Sequence, residues 1–136
     1  MKLSVGQKAR RSITLTGKHV KTYADITGDY NPLHFDESFA AQTRYKKPIV
    51  QGGLTTGLLH ALVAMDMPGR GTVFLSQNWK FTAPVRPGDT ITGAVEVLEV
   101  REDKPITKLA TTVRREDGVV ALAGTAVCYT MDLGGS

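Results

Sequence analysis

Cysteine is nearly absent: Cys128 stands alone among 136 residues. One thiol excludes an internal disulfide and any cysteine-built zinc cage. Its position in an alternating apolar stretch marks it as a small core residue. Long apolar runs are missing as well. The longest uncharged stretch, Pro48–Met65, is interrupted by Gln51, several small residues and His60, whereas a membrane span needs roughly 20 mainly apolar residues. Met1 to Arg11 carries Lys2, Lys8, Arg10 and Arg11 without an apolar stretch of signal-peptide length, so the expected compartment is the cytoplasm. Aromatic residues make up only 7%. The basic residues are not interleaved with them, which sets aside a nucleic-acid partner. No sign of charge dominates. The formal net charge of +4 is spread along the chain; it favours anionic ligands without selecting one.

What is present is ordinary for a globular protein: 41% hydrophobic and 22% charged residues. The length suits a single core, and no repeat or linker divides it, so one domain over residues 1–136 is expected. Ser12–Leu15 reads as a short strand. Thr16 then caps a helix through Val20, Tyr23, Ala24 and Ile26 that closes on Gly28. Asp36 caps a short helical turn to Ala41. The clearest helix runs from Gly53 to Met65, with Leu54, Leu58, Leu62 and Met65 on one face. Gly57, Ala61 and Ala64 form a second face of small residues suited to close approach by a sheet. This helix carries no charge and is expected to be buried, with His60 as a hydrogen-bonded buried histidine.

Beyond Pro68-Gly69 the apolar period becomes two. Val73, Leu75, Gln77, Trp79 and Phe81 alternate on one face, with Trp79 and Phe81 as core or pocket lining. Ile91–Val100, Ile106–Val113 and Val119–Thr130 follow as strands, the last two joined at Asp117-Gly118, a hairpin turn signal. Hairpin-joined strands pair antiparallel. The class is α+β: an antiparallel sheet wrapped around one buried helix. Pairing through sheet edges between copies would protect the edges that remain.

Chemistry concentrates between Thr27 and Asp36. Asp29, Asn31 and His34 place a carboxylate, an amide and an imidazole within six positions, around Asn31-Pro32, which forces an extended or turn conformation. Carboxylate and imidazole are the usual proton carriers near neutral pH, so the loop suits acid/base work on a water molecule. The residue types alone equally allow Asp29 to be a turn cap and His34 an ordinary surface histidine. No metal-ligand spacing occurs, and no metal or cofactor is expected.

The order Thr27, Gly28, Asp29, Asn31, Pro32, His34, Phe35, Asp36 resembles the hydratase 2 motif of the MaoC-like (R)-specific enoyl-CoA hydratases. The likeness continues through Phe39-Ala40-Ala41, Pro48-Ile49-Val50, the apolar helix and the strands, covering nearly the whole chain. It implies a hot-dog fold and a homodimer or higher homo-oligomer. It also implies reversible syn addition of water to a trans-2-enoyl-CoA, giving the (R)-3-hydroxyacyl thioester. The resemblance makes Asp29 and His34 the catalytic pair, with Asn31 orienting the water or His34. Gly52 presents its N–H to the thioester oxygen, and Pro48, Val50 and Gly53 bind substrate. Gln51-Gly52-Gly53 departs from the family's common His-Gly-Met, which alters the pocket wall. The acyl-CoA diphosphate would need basic partners, for which Arg44, Arg70, Arg86 and Lys104 are candidates. Two other readings stay open: a hot-dog thioesterase, disfavoured because the helix lacks a carboxylate between Gly53 and Met65, and an acyl-CoA-binding module without catalysis.

Overall fold

Alternate residues of β3 (Thr90–Val100) and β4 (Ile106–Arg115) are buried along most of their length, as expected of strands with one face on a core. The computed structural model describes residues 3–131. In chain order these form β1 (Lys8–Thr14), α1 (Gly17–Thr27), a 3₁₀ turn (Pro32–His34), α2 (Glu37–Ala41), α3 (Gly52–Ala61), a π-helical turn (Leu62–Asp66), β2 (Thr72–Phe81), β3, β4 and β5 (Val120–Thr130). The five strands make one antiparallel sheet in the order β1-β3-β4-β5-β2. No helix among the described residues is long and apolar enough to cross a membrane.

The core lies between α3 and the sheet. Leu58, Leu59, Leu62 and Val63 from the helical side meet Ile91, Val95, Val97, Leu109, Val113, Leu122 and Cys128 from the strands. Each fully buried leucine contributes about 1.5–3 kcal/mol. The ion pairs, such as Lys21–Asp25 and Arg101–Asp103, lie in solvent and contribute little. Burial of aliphatic side chains therefore holds the helix in the sheet. Close approach is made possible by the strand: a Cβ on Gly93 would sit 3.2 Å from Leu58 Cγ. The small-residue face of Gly57, Ala61 and Ala64 is only partly buried, so the expected site of close approach moves to Gly93.

Four patterns differ from the sequence expectation. Met65 is 71% exposed because the π turn advances the phase of the face that carries Leu58 and Leu62. Ile26 is also exposed, at 79%; α1 buries Val20 and Ala24, four residues apart, and Ile26 falls outside that stripe. In β2 a register shift between Phe74 and Ser76 turns Val73 and Leu75 outward and brings Phe74 inward. Phe74 and Trp79 pack on the core, whereas Phe81 is 58% exposed. His60 is hydrogen-bonded as expected, to Gln77 Nε2 at 3.2 Å, and lies edge-on to Phe74 and Trp79. It is nevertheless exposed, not buried, and partial desolvation lowers its pKa.

Candidate active site

The end of α1 sets up the loop that follows. Gly28 closes the helix at φ +83°, its N–H bonded to Ala24 O; a residue with Cβ adopts this conformation only at a cost. Thr27 Oγ1 donates to Tyr23 O at 2.8 Å and accepts from Asp29 N at 3.2 Å. Asn31 Oδ1 accepts from Leu33 N at 3.0 Å and so caps the turn Pro32–His34. Proline at the start of that turn lacks only an N–H that would have no partner there. Asp36 then caps α2 through Phe39 N. The segment is therefore a series of short side chain-to-backbone turns, with Asp29 before the 3₁₀ turn and His34 at its end.

These turns bring Asp29 and His34 together: Nε2 of His34 is 3.6 Å from Oδ2 of Asp29. The side chain of His34 is only 9% exposed and that of Asp29 41%, so the carboxylate is the member reachable from solvent. His34 Nδ1 lies 2.7 Å from the carbonyl oxygen of Ile49. A carbonyl only accepts, so Nδ1 carries the hydrogen, and in the neutral ring Nε2 presents a lone pair toward Asp29. At 3.6 Å two acceptors do not bond each other. A donor held between them satisfies both, and water is the smallest donor with two hydrogens.

The segment that receives His34 leads directly into α3. Pro48 lines a depression of about 730 Å³ together with His34, Val20 and Pro87, with Asp36 and Glu37 on its wall. Asp29, Gly52 and Gly53 do not line it, so it reaches the pair from the His34 side alone. Val50, expected to bind substrate, is 4% exposed and part of the core; its N–H is bonded to Val85 O. It supports the site from beneath. Gln51 stands at the N-cap of α3 without capping it; its side chain is buried and its Nε2 donates to Val20 O at 3.0 Å, tying α3 to α1.

The first turn of α3 thus keeps N–H groups without a side-chain acceptor, at the positive end of the helix dipole. Gly52 is exposed there. Two rings flank the double glycine: a Cβ on Gly52 would meet Phe81 Cζ at 3.0 Å, and one on Gly53 would meet the Tyr23 hydroxyl at 1.8 Å. Gly53 is therefore occluded by Tyr23, a contact between α1 and α3 that no local pattern announces. Of the basic candidates, Arg44 lies over its neighbour Tyr45 at 4.9 Å, and Arg70 and Lys104 are exposed. Arg86 is committed to backbone carbonyls at residues 45, 47 and 48. Among the described residues no group of three or more His, Cys, Asp or Glu could hold a metal ion.

Sheet order and central helix define a hot-dog domain, with a carboxylate–imidazole pair on the loop after α1. The chain belongs to the MaoC-like domain family, whose model matches residues 3–119. It is 43% identical to an (R)-specific enoyl-CoA hydratase of Aeromonas caviae, over 92% of this chain and 93% of that one. It is 39% identical to a 3-hydroxybutyryl-CoA dehydratase of Methylorubrum extorquens, over 87% of this chain and 75% of the relative. Among solved structures it superposes with a TM-score of 0.90 on the A. caviae (R)-hydratase involved in PHA biosynthesis, at 42% identity, covering 95% of this chain and 98% of the other.

Proposed function

We propose that this protein is an (R)-specific enoyl-CoA hydratase, a hydro-lyase that adds water reversibly to a trans-2-enoyl-CoA and yields the (R)-3-hydroxyacyl-CoA. The observation that carries the reading is the approach of Asp29 Oδ2 to His34 Nε2, with the opposite ring nitrogen fixed on Ile49 O. Both partners accept, so one water donates a hydrogen to each and turns its oxygen lone pair toward the substrate. The oxygen bonds to C3 of the enoyl group, and the water's proton passes to the pair. The π electrons move onto the thioester oxygen, and the pair returns a proton to C2 from the same face. One water is consumed and no electrons are gained or lost. Asp29 is the more exposed member and the first base; His34 completes the transfer. Such acid/base assistance is worth on the order of 10²–10⁴-fold.

Charge developing on the thioester oxygen needs donors that are already in place. Gly52 N–H, exposed at the start of a ten-residue helix, supplies one; the space that a Cβ would take there holds the Phe81 ring. Asn31 acts through the turn it caps, setting the direction of His34. Pro48 lines the approach to the acyl group, and Gly53 acts behind it by making room for the Tyr23 ring. The chemistry requires no cofactor, and no step requires a metal.

The working unit is a homodimer formed through the β2 edge. Val73, Leu75 and Phe81 are exposed apolar residues of β2, an edge strand among the described residues, a combination that a second copy covers. Fatty-acid metabolism in the cytoplasm is the setting this substrate class implies. Crotonyl-CoA provides the test. Loss of the enoyl absorbance with chiral recovery of the (R)-3-hydroxy product supports the reading. Release of free thiol instead identifies a thioesterase, and binding without either change identifies a carrier.

A further inference from the structure

We infer that Arg86, on the turn between β2 and β3, is a positioning residue for this reaction, holding the segment from which His34 takes its orientation. The inference rests on the proposed role of the Asp29–His34 pair. Nη1 of Arg86 donates to Lys47 O at 3.0 Å and to Pro48 O at 3.5 Å, and Nη2 donates to Tyr45 O at 2.9 Å. Three carbonyls of one four-residue stretch thus converge on a single guanidinium. Its own backbone is fixed in turn, since Arg86 N donates to Asp89 Oδ2 at 2.8 Å. The adjacent Val85 O accepts from Val50 N at 2.8 Å, so both flanks of Ile49 are bound to the same turn. Ile49 O is the acceptor for His34 Nδ1, and Ile49 N returns a bond to Leu33 O. The path from Arg86 to the imidazole is short and continuous.

The clamped segment would not hold its shape alone. Residues 44–48 lie in neither helix nor strand, and Lys46 has φ +67°. A residue with a Cβ occupies that region at a cost and stays there only when its surroundings over-determine it. A guanidinium suits such a clamp because it is planar and permanently charged, and its forked donors reach two carbonyl directions at once. A lysine ammonium in its place reaches fewer of them. Arg86 does not contact the pair itself, so its effect on catalysis passes entirely through Ile49 O.

The test uses the full chain with crotonyl-CoA, measuring kcat and KM for Arg86→Met and Arg86→Lys. It also follows the ¹⁵N shifts of the His34 imidazole, assigned by loss of the signal in His34→Gln. For Arg86→Met the expected result is a fall in kcat on the order of 10²-fold with KM changed less than about twofold, as displacement of a catalytic group by about 1 Å produces. The His34 nitrogens should move from a fixed Nδ1–H tautomer toward the averaged values of a free imidazole. Arg86→Lys should recover part of both. A raised KM with unchanged kcat would overturn the inference, because it would make Arg86 a phosphate contact of the substrate. Unchanged kcat with an unchanged His34 spectrum would overturn it too. If Arg86→Met does not fold, Arg86→Lys decides: intermediate values support the inference and native values refute it. Full activity in Asp29→Asn would refute the proposed function whatever Arg86 does. Activity lost in Asp29→Asn but kept in Arg86→Met would refute only the role of Arg86.

Discussion

Between Gly28 and Gln51 the chain is held by side chains bonding to backbone, whereas between Thr90 and Thr130 it is held by strand ladders around an aliphatic core. The side chains of Thr27, Asn31, Asp36, His34 and Arg86 each take particular carbonyls or N–H groups of the first region. In the second, any side chain of suitable volume and polarity at an alternate position would serve nearly as well. The sheet supplies stability and the loop supplies direction. Damage to the Asp29–His34 pair should therefore lower activity without lowering stability, and damage to the sheet the reverse.

Several substitutions can break or sharpen that contrast. The largest effect is expected for Asp29→Asn and His34→Gln, each reducing kcat for crotonyl-CoA by on the order of 10²–10⁴-fold; urea melts should match the native protein. Next comes the sheet: Leu109→Ala, at a fully buried position, should lose about 2–5 kcal/mol of unfolding free energy. Its kcat per folded molecule should remain native. Gly93→Val drives a branched side chain against Leu58 and Leu59, at a cost of about 1–3 kcal/mol in the same melts. A large activity loss in either sheet variant while still folded would erase the distinction. Asn31→Ala removes the cap on the 3₁₀ turn, costing about 0.5–2 kcal/mol. Its kcat should fall by about tenfold, because the turn then aims His34 less well. The smallest effect concerns Cys128, whose thiol pKa burial raises to about 11. Little thiolate exists at pH 8, so iodoacetamide should label it only after denaturation.

The same contrast explains which features were readable from the sequence. Period-two alternation located β3, β4 and β5, and Asp117-Gly118 marked their last turn, because those strands face one core. Thr16, Gly28 and Asp36 announced helix ends through local hydrogen bonds that side-chain chemistry determines. The π turn after Ala61 and the bulge at Leu75 were not readable; each inserts an extra residue to suit packing decided elsewhere. They reversed the expected burial of Met65, Val73 and Leu75. In the loop, the residue types left Asp29 and His34 undecided and the family resemblance singled them out, while Ile49, Tyr23 and Arg86 stayed hidden. Their contacts join residues 15, 30 and about 40 positions apart, and no local period encodes such pairings. Arg86 accordingly read as one basic residue among four candidates for phosphate binding. Its guanidinium is turned inward to the backbone.

The central claim is that Asp29 and His34 serve one water molecule together and not two separate steps. Groups that act as a unit lose their function together, so a second deletion removes little that remains. The most direct measurement is kcat/KM for crotonyl-CoA in Asp29→Asn, His34→Gln and the double variant. The double variant should be no more than about threefold slower than the slower single variant. Losses that multiply across the two positions would show independent roles and contradict the shared-water mechanism.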